Sequence, residues 1–357
     1  MNALNHLLSP AHAAPSARRV ALVASARSAD QAFLCDLGAS ANWRGQVHSV
    51  FQHVINIEGA RGELFTLASR DIDDAPNTMV VDMVDFSNTG VTMCQQVVAT
   101  AGVMRIDSAL EVHFDNAKGW QGTLPVYDMA SGRLGCNLDA LVQFLQREKS
   151  LSGMLRSALL GNDDGLAEST DFDHAVSRML SGTASRLRDA ILRQDVFDVC
   201  AQARLLMGLG PGLTPSGDDF LVGLFAVLHV KQSPLFGLGT LCLEMVAGAV
   251  HTTNAISYAA LSKAATGRVR ACMAELIQQL LHGEADAWTA PLRRVLAIGS
   301  TSGSDIVAGI VCGLRLQLEF ERSGKPWQPR LPTVSSAPSL MALPTHAALP
   351  GQPQYGG

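Results

Sequence analysis

Hydrophobic and polar positions follow two different patterns along the chain, and the change comes near residue 136. Before it, short apolar runs alternate with segments rich in Gly, Pro, Asn and Asp, which is typical of strands. The predicted strands are Val47 to Phe51, Val54 to Ile57, Leu64 to Leu67, Thr78 to Val81, Met104 to Ile106 and Leu110 to Phe114. Glu58 to Glu63 carries two glycines between two such runs and predicts a hairpin. We therefore expect a mainly-β domain over 21–135, either a small barrel or a sandwich.

After residue 136 apolar side chains recur every three or four positions, the period of an amphipathic helix. Helices are predicted over 139–149, 195–207, 215–231, 236–250, 255–266, 270–282, 288–297 and 303–320. The expected fold class is therefore α+β, with a larger all-α domain over 136–323. We expect a flexible extension over 1–20, and a disordered tail over 324–357 because this segment is rich in Pro, Ala and Gly.

Composition narrows the functional classes. The net charge is −5 and no run of Lys or Arg occurs, which gives no reason to expect a nucleic-acid partner. The seven cysteines are scattered without a metal-binding spacing, and reduced thiols in a cytoplasmic protein are the simplest account. The strongest apolar run, Phe220 to Val230, is well short of the roughly twenty residues that cross a membrane, so we expect no membrane partner.

One stretch, Gly208 to Asp219, combines glycines, prolines, hydroxyls and two carboxylates directly before an apolar helical segment. Thr214 is suited to the N-cap and Pro215 to the first helical position, and Asp218 and Asp219 then fall in the first turn. Such a helix start offers free N–H groups to an anion, while its acids suit a cation or a polar substrate group. The alternative is a tight turn between two helices with a well-capped second helix.

A second stretch, Gly299 to Asp305, has the same character. Ser216-Gly217-Asp218-Asp219 aligns with Ser302-Gly303-Ser304-Asp305, and each is followed by two apolar residues, one further residue and a glycine. Two such helix starts facing one another would form a single site from two halves. The alternative is a common capping pattern that recurs by chance.

A third stretch, His251 to Ser257, supplies several hydroxyl or amide side chains at the end of an apolar segment. These groups suit a neutral hydrogen-bonding ligand such as a urea, an amide or a carboxylate. The alternative is again a helix cap, at Thr253 or Asn254. No nucleotide-binding, metalloprotease or serine-hydrolase motif occurs in the sequence. Mg²⁺ is a possible ligand of the acids at the first two stretches, but the three carboxylates do not define a metal site.

The three stretches together resemble the hallmark sequences of the AllH-type subunits of oxamate carbamoyltransferase, and the similarity extends over roughly 45–320. This resemblance implies a role in ureide or allantoin breakdown, in which oxalurate and phosphate become oxamate and carbamoyl phosphate. It also implies two further enzyme subunits as partners. Two other functions stay open: a non-catalytic sensing or scaffold subunit, and a stand-alone enzyme on another small amide or carboxylate.

We assign hypothetical roles on this basis. Asp219 and Asp305 are the candidate catalytic residues, which would orient an N–H group or a metal-bound water. Phosphate, ureide or carboxylate would bind to the other candidate residues, namely Gly210, Gly212, Thr214, Ser216, Gly217, Asp218, Thr252, Thr253, Asn254, Ser302 and Gly303.

Overall fold

The computed structural model describes residues 21–147 and 171–330. The predicted extension over 1–20 and most of the predicted tail over 324–357 lie outside these ranges. The described chain folds into a β-barrel over 22–120 followed by a helical region over 129–323, which confirms the α+β prediction.

The barrel is formed by nine strands of one sheet. In chain order they are β1 Leu22–Asp30, β2 Trp43–Val50, β3 Val54–Gly59, β4 Leu64–Ala68, β5 Thr78–Val81, β6 Gln96–Thr100, β7 Val103–Ile106, β8 Leu110–His113 and β9 Lys118–Trp120. Their order is β5-β4-β3-β2-β6-β7-β8-β1-β9, and an additional antiparallel pairing of β1 with β5 closes the sheet. Closure removes the exposed edges that an open sheet would present, so the barrel alternative is the correct one.

Alternation places one set of side chains inside this barrel. Ile55 and Ile57 of β3 and Leu67 of β4 are fully buried. The predicted hairpin between β3 and β4 is confirmed, with Glu58 paired to Leu64. A short helix that was not predicted, α1 Gln31–Gly38, adds Phe33, whose ring stacks on Phe65 at 4.5 Å between centroids.

Helices account for most of the remaining described chain. They are α2 Arg133–Arg147, α3 Asp171–Arg193, α4 Val196–Leu206, α5 Ser216–Leu228, α6 Phe236–Gly239, α7 Cys242–Met245, α8 Ala255–Ala264, α9 Ala271–His282, α10 Thr289–Leu296 and α11 Ser302–Ser323. The helix predicted over 236–250 is wrong as one element, because the segment breaks into α6, α7 and a 3₁₀ turn. Glycines in this segment weaken helical continuity, and Gly248 adopts φ of 84°.

Helix α5 is the centre of the helical region, since every one of its residues is buried. Its longest neighbour is α11, which runs beside it and is also buried over most of its length. No helix among the described residues is long and apolar enough to cross a membrane. Because all of its residues are buried, α5 is a core helix, as the length of its apolar run suggested.

Ion pairs join the barrel to the C-terminal end of α8 and to the segment that follows it. Lys263 pairs with Glu63, and Arg268 pairs with the buried Asp30. The Asp30 carboxylate also accepts from the Asn77 N–H at 2.6 Å. The C-terminal end of α8 is thus anchored to the barrel, while its first turn faces α5.

Candidate functional site

The Gly-rich stretch forms the connection from α4 to α5. It turns the chain so closely that a Cβ on Gly210 would lie 2.8 Å from the Ser216 nitrogen, and Gly210 has φ of 116°, which only glycine adopts readily. Pro211, Gly212 and Leu213 are exposed at the tip. The loop therefore lies directly over the N-terminus of α5.

Asp218 ties this loop to the third stretch. Its fully buried carboxylate accepts from the Gly208 N–H at 2.8 Å, from the Ser257 hydroxyl at 2.7 Å and from the Thr253 hydroxyl. Charge-assisted hydrogen bonds of this kind are stronger than neutral ones. Asp218 is thus fully occupied with protein donors, and it holds the loop against the start of α8.

Asn254 makes a second link between the same two stretches. Its side-chain oxygen caps α8 by accepting from the Ile256 and Ser257 N–H groups at 3.0 and 3.1 Å, as one of the sequence alternatives predicted. Its amide nitrogen donates to the Leu213 carbonyl at 2.6 Å. Thr252, by contrast, donates to Ala249 of its own turn at 3.1 Å.

The second stretch meets the first through two hydroxyls. Thr214 Oγ1 and Ser302 Oγ lie 2.7 Å apart. Thr214 was predicted as the N-cap of α5, but the cap position is held by Pro215, which has no side-chain donor or acceptor. The prediction was wrong because the chain places the Thr214 hydroxyl toward the start of α11 instead.

The helices α5 and α11 cross at equivalent positions of the two aligned motifs. A Cβ on Gly223 would lie 2.0 Å from the Ile306 carbonyl oxygen, and one on Gly309 would lie 1.9 Å from that of Phe220. In the alignment Gly223 corresponds to Gly309, and Phe220 to Ile306, so the contact is reciprocal. Glycine is required at both positions because the two backbones touch.

In both halves, the glycine after the first serine of the motif also touches the helix that precedes the motif. A Cβ on Gly217 would lie 2.0 Å from the carbonyl oxygen of Leu206, the last residue of α4. A Cβ on Gly303 would lie 2.1 Å from the Val295 oxygen, one residue before the end of α10. Each half is therefore a helix, a loop and a second helix packed in the same way. The two halves contact one another reciprocally, through Gly223 and Gly309.

Asp219 and Asp305 occupy equivalent positions in these halves, and both are buried. Burial is the main cause that raises the pKa of Asp219 to about 7; the nearby charges of Asp305 and Asp218 add to the rise, and hydrogen bonding from Thr214 and Ser302 opposes it. Among the described residues no hydrogen-bond partner reaches Asp219 Oδ2. We call this meeting point of Thr214, Asp219, Ser302 and Asp305 the junction.

Backbone donors lie beside the junction. Within the described ranges, no acceptor receives the N–H groups of Gly210, Gly212, Leu213, Thr214 or Ser216. The Gly217 N–H is in use, since it donates to the Leu209 carbonyl at 2.9 Å. Free N–H groups at the N-terminus of a long helix favour an anion. The loop that carries Thr214 of the junction therefore supplies unpaired backbone donors.

Ser257 was not among the candidate residues. Its hydroxyl, in the first turn of α8, donates to Asp218, as does the hydroxyl of Thr253, which lies just before the cap residue Asn254. The residues that sequence reasoning grouped in three stretches thus lie together, but several of them bind one another. In the described part of the chain no group of three or more His, Cys, Asp or Glu side chains is arranged to hold a metal ion.

Two surface pockets lie away from the junction. One, of about 270 Å³, is lined by residues that include Tyr127, Glu321 and Arg322. The other, of about 300 Å³, is lined by residues that include Trp120 and Glu275. Neither contains a residue of the three stretches. The junction is the candidate site, because the unpartnered buried oxygen of Asp219 is a stronger indication of function than pocket size.

Comparison with known families agrees with the resemblance. A model described as oxamate carbamoyltransferase subunit AllH matches residues 206–314, and a model of the AllH family N-terminal domain matches residues 25–119. The chain belongs to the AllH family. The first match contains all three stretches, and the second covers nearly all of the barrel. No solved structure matches the chain.

Proposed function

We propose that the chain is a subunit of an oxamate carbamoyltransferase and that the junction binds the reacting ligand. The carrying observation is that two stretches separated in sequence meet around a buried Asp219 oxygen that has no hydrogen-bond partner among the described residues, while the third stretch holds the first in place through Asp218. A purely structural turn needs no such group, since an unsatisfied buried oxygen costs roughly 1–3 kcal/mol.

In the reaction, an oxygen of hydrogen phosphate would form a bond to the carbamoyl carbon of oxalurate, and the bond from that carbon to the oxamate nitrogen would break. The proton of hydrogen phosphate would end on the oxamate nitrogen. We propose that the free N–H groups of Gly210, Gly212 and Ser216 hold the anionic end of the ligand. Asp219 and Asp305 would contact its N–H groups.

For the hydrogen-bonded residues we propose supporting roles. Asp218, Thr253 and Asn254 position the Gly-rich loop, because their polar atoms bind protein groups. Gly217 and Gly303 let each helix start approach the preceding helix. Of the other candidates, Ser302 and Thr214 are the side chains best placed to contact a ligand together with Asp219.

The hydrogen bonds that Asp218, Thr253 and Asn254 make to other protein groups also favour a second candidate function. If the loop is only a packed connection, the chain is a non-catalytic scaffold or sensing subunit of the same enzyme. The two candidates differ in what happens when Asp219 is changed within the assembled enzyme.

Reconstitution with the partner subunits tests the proposal. Carbamoyl phosphate formed from oxalurate and phosphate is measured for the wild type, for Asp219→Asn and for Asp139→Asn, an exposed carboxylate on α2. We expect Asp219→Asn to lower kcat/KM at least ~100-fold, as the loss of a contact in the transition state does. Full activity of Asp219→Asn would assign the chain to the scaffold role.

A further inference from the structure

The polarity of the junction indicates what kind of ligand group it accepts. Asp219 is 6% exposed, and its Oδ2 has no hydrogen-bond partner among the described residues. Neither Asp219 nor the neighbouring Asp218 forms an ion pair with a basic side chain of the described residues. Above about pH 7 the Asp219 carboxyl is mainly ionised and is then an acceptor only, so its free oxygen calls for a donor.

The groups around Asp219 indicate where the N–H donor of a ligand and its anionic group would each lie. Asp305 is a buried acid beside Asp219, so a second anion at this position would be repelled. The N–H groups of Gly210, Gly212 and Leu213 have no acceptor among the described residues and belong to a half-buried to exposed part of the loop, and they suit an anion. A fitting ligand therefore carries an anion at one end and a neutral donor at the other.

We propose that Asp219 is a specificity-determining residue: its buried Oδ2 accepts a hydrogen bond from the amide nitrogen of the ligand that oxamate carries as its NH₂, and so selects such amides over analogues without this donor. This inference rests on the proposed function, in which the ligand is a small carbamoyl anion. It adds the atom that distinguishes such ligands and the orientation of the ligand, with its NH₂ toward α11 and its anion toward the loop.

Oxamate and pyruvate provide the probe, because they share a carboxylate beside a carbonyl and differ only in NH₂ against CH₃. A site that is built to accept a donor rejects the analogue without it, since its own polar group is then left unpaired. We expect the wild-type chain to bind oxamate at least ~10-fold more tightly than pyruvate. Asp219→Asn, which retains size but loses the charged acceptor, should reduce this ratio to ~3-fold or less.

The experiment is isothermal titration of the full-length chain with each compound in buffer containing EDTA, with Asp139→Asn as the matched control. Far-UV circular dichroism checks that each variant is folded, and if Asp219→Asn is not, the wild-type ratio decides alone. Equal wild-type affinities would overturn the inference, and so would an unchanged ratio in folded Asp219→Asn. Discrimination that appears only when Mg²⁺ replaces EDTA would also overturn it, because a metal ion would then supply the selectivity.

The reconstituted reaction separates the two levels of the argument. If the assembled wild-type enzyme forms carbamoyl phosphate while its oxamate and pyruvate affinities are equal, the inference on Asp219 fails and the proposed function stands. If no carbamoyl phosphate forms and neither compound binds, the proposed function fails and the inference falls with it.

Discussion

The two helix starts that meet at the junction share their packing and differ in what lies before them. Gly217 and Gly303 each allow the helix to touch the one before it, and Gly223 and Gly309 allow α5 and α11 to touch each other. The loop before α5 spans 207–215, whereas the one before α11 spans only 297–301. The two halves therefore share the glycines at which their helices pack together.

The two halves differ in how the loop is held in place and in its length. Asp218 binds the loop and α8, and its counterpart in the second half is Ser304. The first half also has the longer loop, with an exposed tip at Pro211 to Leu213. The repeated glycines therefore indicate shared packing, and Asp218 and the longer loop are what the second half lacks.

The largest predicted effect concerns the shared packing. Gly223→Ala and Gly309→Ala each place a methyl group within about 2.0 Å of a backbone oxygen, so each should lower the free energy of unfolding by at least ~3 kcal/mol. Urea unfolding measures this. Gly135→Ala in α2 is the control, because no atom lies within 4 Å of its Cβ and alanine favours the helix. Wild-type midpoints for Gly223→Ala and Gly309→Ala would show that the backbones are not in contact.

The second-largest predicted effect concerns Asp218, whose counterpart in the second half is not a carboxylate but Ser304. Asp218→Asn removes the charge that accepts from Gly208, Thr253 and Ser257, and should cost ~2–3 kcal/mol. It should also speed amide hydrogen exchange at Gly208. Ser304→Ala, at the equivalent position of the other half, should stay within ~0.5 kcal/mol of the wild type. Equal effects at the two positions would contradict the distinction between the halves.

A third prediction uses pH. The folded-state pKa of Asp219 is raised to about 7 from its ordinary value of 3.8, so the unfolded chain releases this proton first. Its contribution to stability is therefore lost as pH rises from about 4 to about 7. Asp219→Asn does not titrate, so its stability relative to the wild type should increase by ~2 kcal/mol between pH 5 and pH 8.

Thermal and urea unfolding at both pH values provide the measurement. Asp139→Asn is the control and should differ from the wild type by the same amount, within ~0.5 kcal/mol, at both. If the relative stability of Asp219→Asn is the same at pH 5 and pH 8, the Asp219 carboxyl is not held in a buried, acidic environment.

The smallest predicted effect concerns the hydroxyl contact between the halves. Thr214→Val and Ser302→Ala each remove one partner of the 2.7 Å hydrogen bond. A double-mutant cycle on unfolding free energies should give a coupling of ~1 kcal/mol, the usual net value of a neutral hydrogen bond. Independent, additive effects would mean that the two loops do not touch in solution.

Sequence patterns predicted much of this fold. The spacing of apolar residues and the positions of turn-forming residues predicted the change from strands to helices. They also predicted the hairpin at Glu58 to Glu63 and most of the helices. They did not predict β1 or α1, because Leu22–Asp30 has no clean alternation and its pairing partners, β5, β8 and β9, are distant in sequence. Closure of the barrel depends on such long-range pairing and was left open between two alternatives.

The candidate site was predictable as a set of residues, but the roles within it were not. The alignment of Ser216 to Gly223 with Ser302 to Gly309 suggested two facing helix starts, and the structure places them against each other. Sequence did not distinguish Asp218 from Asp219, which are adjacent and chemically identical. The helix directs Asp218 toward Thr253 and Ser257, and it directs Asp219 toward Ser302.

The most direct test of the central claim is a crystal structure of the chain grown with oxamate. We predict electron density for oxamate at the junction, with its amide nitrogen within hydrogen-bond distance of Asp219 Oδ2 and its carboxylate facing the N–H groups of the Gly-rich loop. Oxamate bound elsewhere, for example in the pocket lined by Tyr127 and Arg322, with Asp219 Oδ2 still without a hydrogen-bond partner, would contradict the account.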